Sequence, residues 1–476
     1  MITLIIVGGV VAGGFFLMPH LHLSGGGLKV SIHSKNEYTR ELASEFHAEK
    51  NNPIVGPQGP SFSRHTNLSF DDPTEVIPVG KEGGLVFSVS NEKPSGICSV
   101  NVTLKQGTHQ IPLVPDGSDL STLSTLSTLG FTEGPAEIHL LATDCSRFLK
   151  HKLSVVRQAT LDFSPPSVSL TSSQHYINQG GADVATYTVS DDTVWSGVRV
   201  GSYQFRGHLK PGGAKGEAFA FFVYSYDLPP DAKIQIVAID RAGNEATTSL
   251  VPSKFFPKEF RHRDLNIDDN FIGTKVMDII HNTKGYSDQG DNLKNFLIVN
   301  RDLRKEDNQF LKNLSAGSEE KFYWKDAFRP LTNAAIEAAF ADYRSYMYQG
   351  QKVDEQVHLG FDLAVTEKYP VYAAGTGKVM FAGYLGIYGN TIVIDHGYGL
   401  TSLYGHLSSM DVVVGQVVDK QQKIGNSGAT GLAGGDHLHF SMLVDGVQTN
   451  PVEFWDQHWI QDHVYLRLGQ ASFAQK

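Results

Sequence analysis

A strict alternation of apolar and polar side chains recurs in the last third of the chain and constrains the fold more than any other feature. In Val357–Leu363, the residues His358, Gly360 and Asp362 share one face of an extended strand and the other residues are apolar, because successive side chains of a strand point to opposite sides. Glycine between the two polar groups leaves room for a metal ion. Gly-rich turns separate further segments of this kind. The pattern predicts an antiparallel β domain with little helix over residues 331–465.

Two more alternating segments carry histidines. In Asp436–Met442, His437 and His439 share one face, and His406 lies on the polar face of Ser402–Leu407. Imidazole nitrogens and carboxylate oxygens are suitable zinc ligands. A lone histidine is more often structural, and the chain has 19 of them. Three fragments that obey the same alternation nevertheless indicate one shared metal site.

These fragments resemble the M23, or lysostaphin/LytM-type, peptidase family. The resemblance covers about residues 340–459, roughly a quarter of the chain, and rests on HLGFD at 358–362, YGHL at 404–407, GGDHLHF at 434–440 and the framing pieces Val371–Ala374, Tyr388–Asn390, Ile394–Gly397 and Asn450–Pro451. The combination is specific, although each fragment alone would be weak. No HExxH motif occurs, so a helix-borne glutamate base is not expected.

The resemblance implies a zinc ion held by His358, Asp362 and His439, with His406 and His437 as the catalytic pair beside it. Three protein ligands leave a fourth position for water, and zinc lowers the pKa of that water to about 7. One histidine of the pair would act as general base and the other would stabilise the oxyanion. The sequence does not divide these two roles.

The resemblance also implies the reaction, namely zinc-dependent hydrolysis of the peptide cross-links of bacterial peptidoglycan. In a thin-walled host we expect the D-alanyl–diaminopimelate bond to be cut rather than a glycine bridge. One alternative is a non-catalytic cell-wall scaffold or amidase activator, and another is an endopeptidase that acts on a secreted protein. Non-catalytic relatives typically lose metal ligands, whereas this chain keeps all the site residues, which favours an enzyme.

Three other positions bear on the chemistry of the site. Many family members carry glutamate after His-Leu-His-Phe, where this chain has Ser441, and a residue on that face would contact the ligands. In a latent form, Asn333 or another residue before Phe340 would occupy the fourth zinc position. Tyr404 would contact substrate or line the wall of a groove.

Upstream, the chain is predicted to form two Ig-like β modules, over residues 28–164 and 165–255. The segments Ile138–Asp144 and Ile234–Asp240 are alternating strands that match at an offset of 96 residues (234 − 138), a repeat that suits Ig-like sandwiches. Each strand is followed by a turn. The modules would then precede the peptidase domain along the chain.

A helical connector is predicted over residues 256–330, because Val276–Ile280 and Leu293–Leu314 have apolar residues at helical spacing. The whole chain is therefore expected to be mostly β, with Ig-like β-sandwich modules, this connector and a C-terminal antiparallel β peptidase domain of the M23 type. The formal net charge is -10 and no long Lys/Arg run occurs, which argues against a nucleic-acid partner.

Residues 1–23 are predicted to be a membrane anchor or signal segment. Ile2–Met18 is uncharged and apolar apart from Thr3, and its length is at the short edge of a bilayer-spanning helix. No basic residue precedes it and Phe15–Met18 fills the expected cleavage region, so an uncleaved anchor is preferred to a cleaved signal peptide. We expect the bulk of the chain in the cell envelope, in the periplasm, with peptidoglycan peptide stems, the membrane, and cell-wall or division proteins as partners.

The chain has two cysteines, Cys98 and Cys145, and both have strand-like flanks. An intradomain disulfide would form in an oxidising compartment, and two unpaired buried thiols are the alternative. The sequence leaves both open.

Overall fold

The computed structural model describes residues 2–8, 28–34, 76–79, 85–91, 97–114, 126–144, 152–331, 333–469 and 473. Strands predominate, and the α- and π-helical segments of the described residues fall within 269–315 and 452–468. The expectation of a mostly β chain is therefore confirmed.

The described residues of the amino-terminal part form eight strands in two sheets. The order of strands is β1-β4-β2 in one sheet and β3-β8-β7-β5-β6 in the other. Within β7, Ile138, Leu140 and Ala142 are buried while Leu141 is exposed, as the alternation predicts. The strands are β1 (Ile2–Gly8), β2 (Leu28–Ser34), β3 (Ile77–Val79), β4 (Leu85–Asn91), β5 (Ile97–Gln106), β6 (His109–Val114), β7 (Gly134–Asp144) and β8 (Lys152–Leu161).

The predicted anchor segment begins with a strand. Ile2–Gly8 pairs antiparallel with Leu85–Asn91 instead of starting a helix, and its isoleucine and valine residues favour strand pairing. Residues 9–27 lie outside the described residues. None of the helices in the described part of the chain has the length and apolar composition that crossing a bilayer requires. Membrane attachment stays a prediction.

The sheet of β5 and β7 contains the disulfide-bonded residue Cys98. Cys145, which lies outside the described residues, is the only other cysteine of the chain. Next to Cys98, Ile97 pairs with Asp144, so the ends of these two strands are neighbours. Of the two alternatives left open by the sequence, the structure shows the disulfide.

The second module has two four-stranded antiparallel sheets, β14-β15-β11-β9 and β13-β12-β16-β17, and a parallel pair β10-β18. The strands are β9 (Val168–Leu170), β10 (Tyr176–Asn178), β11 (Ala182–Val189), β12 (Thr193–Val200), β13 (Tyr203–Arg206), β14 (His208–Leu209), β15 (Glu217–Val223), β16 (Ile234–Asp240), β17 (Glu245–Leu250) and β18 (Lys254–Phe256). The two matched segments lie in β7 and β16, which are both interior strands of their sheets. The Ig-like assignment itself stays a prediction.

The connector is helical between β19 (His262–Ile267) and the peptidase strands. Asp268 and Asp291 cap the two helical stretches by accepting hydrogen bonds from Phe271 N and Lys294 N, which satisfies otherwise unpaired amides. The helical segments are α1 (Asp269–Phe271), a π-helical Ile272–Val276, α2 (Met277–Asn282), α3 (Asn292–Leu297), a π-helical Ile298–Leu303 and α4 (Arg304–Ser315). The segments predicted from helical spacing lie largely within them.

The carboxy-terminal part is built around one antiparallel sheet with the order β20-β23-β31-β27-β26-β25-β29, and β32 pairs with β31. Smaller sheets β19-β21-β22 and β24-β30-β28 flank it. The strands are β20 (Ala335–Ala338), β21 (Asp342–Tyr348), β22 (Gln351–His358), β23 (Phe361–Ala364), β24 (Pro370–Tyr372), β25 (Gly377–Leu385), β26 (Gly389–Gly397), β27 (Leu400–Gly405), β28 (Ser409–Met410), β29 (Val417–Val418), β30 (Lys423–Asn426), β31 (Leu438–Val444) and β32 (Val447–Thr449). The predicted antiparallel β domain is confirmed.

The second module and the peptidase sheet share one hydrophobic core. Phe219 of β15 packs against Tyr398, with ring centroids 5.0 Å apart. The carboxy-terminal helical segments α5 (Val452–Trp455), α6 (Gln457–Trp459), Ile460–Tyr465 and α7 (Leu466–Leu468) close this core. The second module and the peptidase sheet therefore do not have separate cores, and the boundary predicted at residue 255 falls within β18.

Candidate active site

The site forms where three neighbouring strands of the main sheet meet. Asp362 of β23 is paired with His439 of β31, and His439 is paired on its other side with Gly405 of β27. His358 is the last residue of β22, and His406 follows β27 directly. The register of the central strands therefore brings together Asp362 and His439, which lie 77 positions apart, and the end of β22 adds His358.

Three of these side chains direct ligand atoms toward one point. His358 Nε2 lies 2.9 Å from Asp362 Oδ1 and 3.0 Å from His439 Nδ1, and those last two atoms are also 3.0 Å apart. All three residues are buried, and they are the group of described residues that could hold a metal ion. Tetrahedral zinc with ligands at about 2.0–2.1 Å separates its donors by about 3.3 Å, so a small expansion fits one ion.

Hydrogen bonds on the outer side of the rings fix which nitrogen faces inward. His358 Nδ1 donates to Ala339 O over 3.0 Å, so its Nε2 presents a lone pair. Ser441 Oγ donates to Leu359 O over 2.7 Å and accepts from His439 Nε2 over 3.0 Å, which leaves Nδ1 unprotonated. When both rings are neutral, two lone pairs and a carboxylate oxygen face one another and would bind one divalent cation. In the metal-free chain a proton on either ring takes that place and pairs with Asp362. The ligand contact expected of Ser441 is present.

Asp362 is held as an ionised carboxylate. Burial raises its pKa, but the charge and hydrogen bond of His358 and hydrogen bonds from His437 and His439 bring the pKa well below its usual value. Arg344 Nη2 donates to the second carboxylate oxygen, Oδ2, over 2.8 Å. One oxygen is therefore paired with the guanidinium, and the other is directed toward the ligand point.

His406 is held by two backbone carbonyl groups. Its backbone N–H donates to Tyr388 O over 2.7 Å, and its Nδ1 donates to Thr430 O over 2.8 Å. Burial, followed by the charges of His437 and His439, lowers the pKa of the ring well below its usual value, so the ring is neutral with a lone pair on Nε2. The backbone φ is +62°, a conformation that costs a non-glycine residue about 1–3 kcal/mol and needs surrounding contacts to hold it.

His437 completes the arrangement. Its Nδ1 donates to Gly435 O over 2.9 Å, and its Nε2 lies 3.4 Å from Asp362 Oδ1. Burial lowers the pKa of this ring, but the hydrogen bond and charge of Asp362 outweigh burial and raise it. The ring centroid lies 4.9 Å from that of His406. The structure therefore brings all five sequence-predicted residues together.

The predicted continuous strand Val357–Leu363 is interrupted. β22 ends at His358, and β23 begins at Phe361 in a different sheet, because the chain crosses between sheets at this point. A Cβ on Gly360 would lie 2.6 Å from His439 Nε2. Glycine is therefore required to admit the ligand's ring, whereas the sequence suggested a clear path to the metal.

Two further expectations fail, one for Tyr404 and one for the strand alternation around His406. Tyr404 is fully buried and its hydroxyl accepts a hydrogen bond from Ala374 N over 2.8 Å, so it neither lines a groove nor faces substrate. The left-handed backbone of His406 breaks the alternation predicted for Ser402–Leu407, so His406 does not share a strand face with Tyr404. Asn333 is exposed, and its place in a latent form stays a prediction.

Sequence reasoning missed the residues that orient the site. Arg344 precedes the first motif by 14 positions, and Thr430 offers only its backbone carbonyl, so neither has a motif of its own. Tyr388 lies within a family fragment, but nothing in that fragment indicates that its ring packs 5.4 Å from His439. The one available signal was charge, since Arg344 is a basic residue in a strand adjoining the motif.

Comparisons with known proteins agree with this geometry. The model of peptidase family M23 matches residues 356–451. DD-carboxypeptidase/endopeptidase Mpg of Neisseria meningitidis is 38% identical over 97 residues, which are 20% of this chain and 22% of that protein. Peptidoglycan DD-endopeptidase ShyA of Vibrio cholerae is 40% identical over 96 residues, again 20% of this chain and 22% of that protein.

Among solved structures, a putative peptidase M23 from Pseudomonas aeruginosa is 19% identical, with 59% of this chain and 94% of that chain covered and a TM-score of 0.37. The chain spans about a fifth of the length of the curated relatives that it matches. The matched stretch contains His358, Asp362, His406, His437 and His439. The chain therefore carries a domain of peptidase family M23 at residues 356–451.

Proposed function

We propose that this chain is a zinc-dependent endopeptidase that hydrolyses peptide cross-links of bacterial peptidoglycan. The observation that carries the proposal is the convergence of His358 Nε2, Asp362 Oδ1 and His439 Nδ1 within 3.0 Å of one another. Their outer hydrogen bonds leave these atoms free to bind a cation. The His406–His437 pair lies directly beside them.

His358, Asp362 and His439 would hold the ion. Zinc bound there supplies a Lewis acid for the scissile carbonyl and a water of lowered pKa. His406 and His437 each direct Nδ1 to a backbone carbonyl, so each ring has Nε2 for proton exchange. His437 Nε2 lies 3.4 Å from Asp362 Oδ1, which favours the protonated form of that ring. A neutral Nε2 accepts a proton as general base, and a protonated Nε2 donates a hydrogen bond to a developing oxyanion.

The names of relatives support the substrate class. Mpg is named a DD-carboxypeptidase/endopeptidase and ShyA a peptidoglycan DD-endopeptidase. By this similarity, the bond that we propose joins D-alanine to diaminopimelate in the cross-links of a thin wall. We also propose that the chain works in the cell envelope, in the periplasm, attached through its amino terminus to the membrane and in contact with cell-wall or division proteins.

The test uses the purified full chain with intact wall sacculi. Zinc is measured by mass spectrometry, and released muropeptides are separated by liquid chromatography. His358→Ala is expected to lose stoichiometric zinc, whereas His406→Ala is expected to keep zinc and lose turnover. His458→Ala serves as the matched control, because His458 is an exposed histidine of the same domain.

Three outcomes would overturn parts of the proposal. Bound zinc without cleavage of any wall type would point to the non-catalytic scaffold or amidase activator. Faster cleavage of polyglycine or elastin-like peptides than of sacculi would point to a secreted-protein substrate. Stoichiometric zinc in His358→Ala would remove that residue from the ligand set.

A further inference from the structure

The helical connector contacts the peptidase sheet behind the site. Ile279, Phe296 and Leu311 of the connector share a hydrophobic cluster with Leu385 and Leu403 of the sheet. The connector precedes the residues matched to family M23. Besides this apolar contact, three of its polar side chains, Asp307, Asn308 and Lys275, reach the loops that hold His406.

The first polar contact is made by α4. Asp307 Oδ2 accepts a hydrogen bond from Ile387 N over 2.8 Å, and Asn308 Oδ1 accepts one from the Tyr388 hydroxyl over 2.8 Å. Gly386 has φ +34°, and a Cβ there would lie 2.2 Å from Asp307 Oδ2, so the loop fits closely over this helix. The helix therefore fixes the loop that ends at Tyr388.

Tyr388 connects this loop to the site. Its carbonyl accepts the backbone N–H of His406 over 2.7 Å, and its ring lies 5.4 Å from that of His439. Its hydroxyl also accepts a hydrogen bond from Gln448 over 2.8 Å. Tyr388 is buried, so its position depends on these partners and not on solvent.

The second polar contact comes from the π-helical segment. Lys275 Nζ donates to Ala429 O over 2.6 Å. The next residue, Thr430, provides the carbonyl that accepts His406 Nδ1 over 2.8 Å. The two carbonyl groups that orient His406 therefore belong to two loops, and the connector holds each loop by a side-chain hydrogen bond.

We infer that the helical connector is a positioning element of the peptidase site, in which Asn308 and Lys275 hold the two loops whose carbonyls orient His406. His406 needs such support because its left-handed backbone is unfavourable for a non-glycine residue. The inference rests on the proposed function only where it predicts a change in turnover. Its effect on the loops is independent of any activity.

The activity test compares Asn308→Ala and Lys275→Met with two matched controls on exposed connector positions, Asn313→Ala and Lys284→Met. Misplacing a catalytic ring by about 1 Å lowers turnover roughly a hundred-fold, so we expect kcat for muropeptide release to fall roughly ten- to a hundred-fold with KM nearly constant. Zinc stays stoichiometric, because neither residue contacts a ligand side chain. Lys275→Arg, which keeps a donor, restores most of kcat.

A second measurement needs no activity. Hydrogen–deuterium exchange of the zinc-free chain is followed in peptides covering residues 386–407 and 429–437, with β11 (Ala182–Val189) as an internal reference. Asn308→Ala is expected to speed exchange in the first peptide and Lys275→Met in the second, while the reference strand is unchanged.

Each result has one meaning. Local loss of protection together with a fall in kcat supports the inference. If the variants lose protection locally but the wild-type chain cleaves no wall substrate, the positioning role is supported and the proposed function is refuted. Unchanged exchange with unchanged kcat overturns the inference, and so does faster exchange that spreads equally to β11, since that shows only a weaker fold.

Discussion

Two buried clusters of this molecule have nearly the same composition and opposite chemistry. Asp362 is surrounded by His358, His439 and Arg344, and Asp183 is surrounded by His175, His463 and Arg467. Each has a carboxylate, at least two imidazoles and a guanidinium away from solvent, and the first also has His437, whose Nε2 lies 3.4 Å from Asp362 Oδ1. Only the first belongs to a group of described residues that could bind a metal.

The difference lies in where the imidazole hydrogens go. In the second cluster, His175 Nδ1 and His463 Nδ1 both donate directly to Asp183, over 2.6 and 2.8 Å. Every inward nitrogen there carries a hydrogen, and the cluster satisfies itself. In the first cluster the neutral rings have outward acceptors for their hydrogens, Ala339 O and Ser441 Oγ, so the inward nitrogens are available to a cation. Residue types alone do not make a metal site.

The two clusters also sit at different places in the fold. The Asp362 cluster lies on adjacent central strands of one sheet. The Asp183 cluster joins strand β11 of the second module to the carboxy-terminal helical segments, which hold His463 and Arg467. We therefore expect the first carboxylate to govern metal binding and the second to govern stability.

The largest effect should follow Asp362→Asn. The amide removes the charge that binds the cation, so zinc falls to background and kcat/KM for wall cross-links falls at least roughly a thousand-fold, about 4 kcal/mol. Metal analysis and muropeptide release measure this, and circular dichroism checks that the strands remain. Retention of one zinc per chain would show that the Asp362 oxygen is not a ligand.

Asp183→Asn should act on the fold instead. It leaves Arg467 and two imidazoles buried beside a neutral amide, and breaking a buried ion pair costs about 3–5 kcal/mol. Urea unfolding measures the free energy, and zinc is expected to stay at one per folded chain. Loss of zinc without loss of stability would contradict the distinction between the two clusters.

Ser441→Ala should weaken the metal site without removing a ligand. His439 Nε2–H loses its acceptor, and loss of such a partner lowers metal affinity roughly 10- to 100-fold. Competition with a chromophoric chelator gives the affinity. Ser172→Ala is the matched control, because Ser172 Oγ lies 3.0 Å from His175 Nε2 in the other cluster. An equal loss in both variants would mean that the effect is not local.

The smallest expected effect is a loss of folding stability at acidic pH. Burial raises the pKa of Asp183, but hydrogen bonds from His175 and His463 and the charge of Arg467 lower it to about 2, from 3.8. A depressed carboxyl pKa stabilises the fold above the unfolded value, so this stability is complete above pH 4 and is lost between about pH 4 and pH 2. The ionised carboxylate of Asp183 therefore contributes about 2 kcal/mol to the free energy of unfolding.

The difference in unfolding free energy between the wild-type chain and Asp183→Asn isolates this contribution. That difference should narrow as the pH falls through the same window. A constant difference from pH 5 to pH 2 would show that folding does not lower the pKa of Asp183.

The strand-rich fold and the convergence of the five candidate site residues could be predicted from sequence, because the strands follow local spacing and the residues lie in short motifs. Leu438, Phe440 and Met442 are fully buried, as their alternation requires, and His439 of the same strand reaches the site. The family fragments then identified which histidines of the chain belong together. The N-terminal segment shows the limit of such patterns, since an apolar run reads equally as a spanning helix or as a strand, and Ile2–Gly8 is a strand.

What the sequence by itself determined is the strand-rich pattern and, through short motifs, which five side chains are the candidate ligands and catalytic residues, because a period of two residues and short motifs are local properties. What only the tertiary structure decided is the protonation and support of that set. Ala339 O, Arg344, Asn308 and Lys275 act from other segments, and which of them meets a given ring depends on how sheets and helices pack. Hydrogen-bond partners of this kind arise from three-dimensional proximity, which no local pattern encodes.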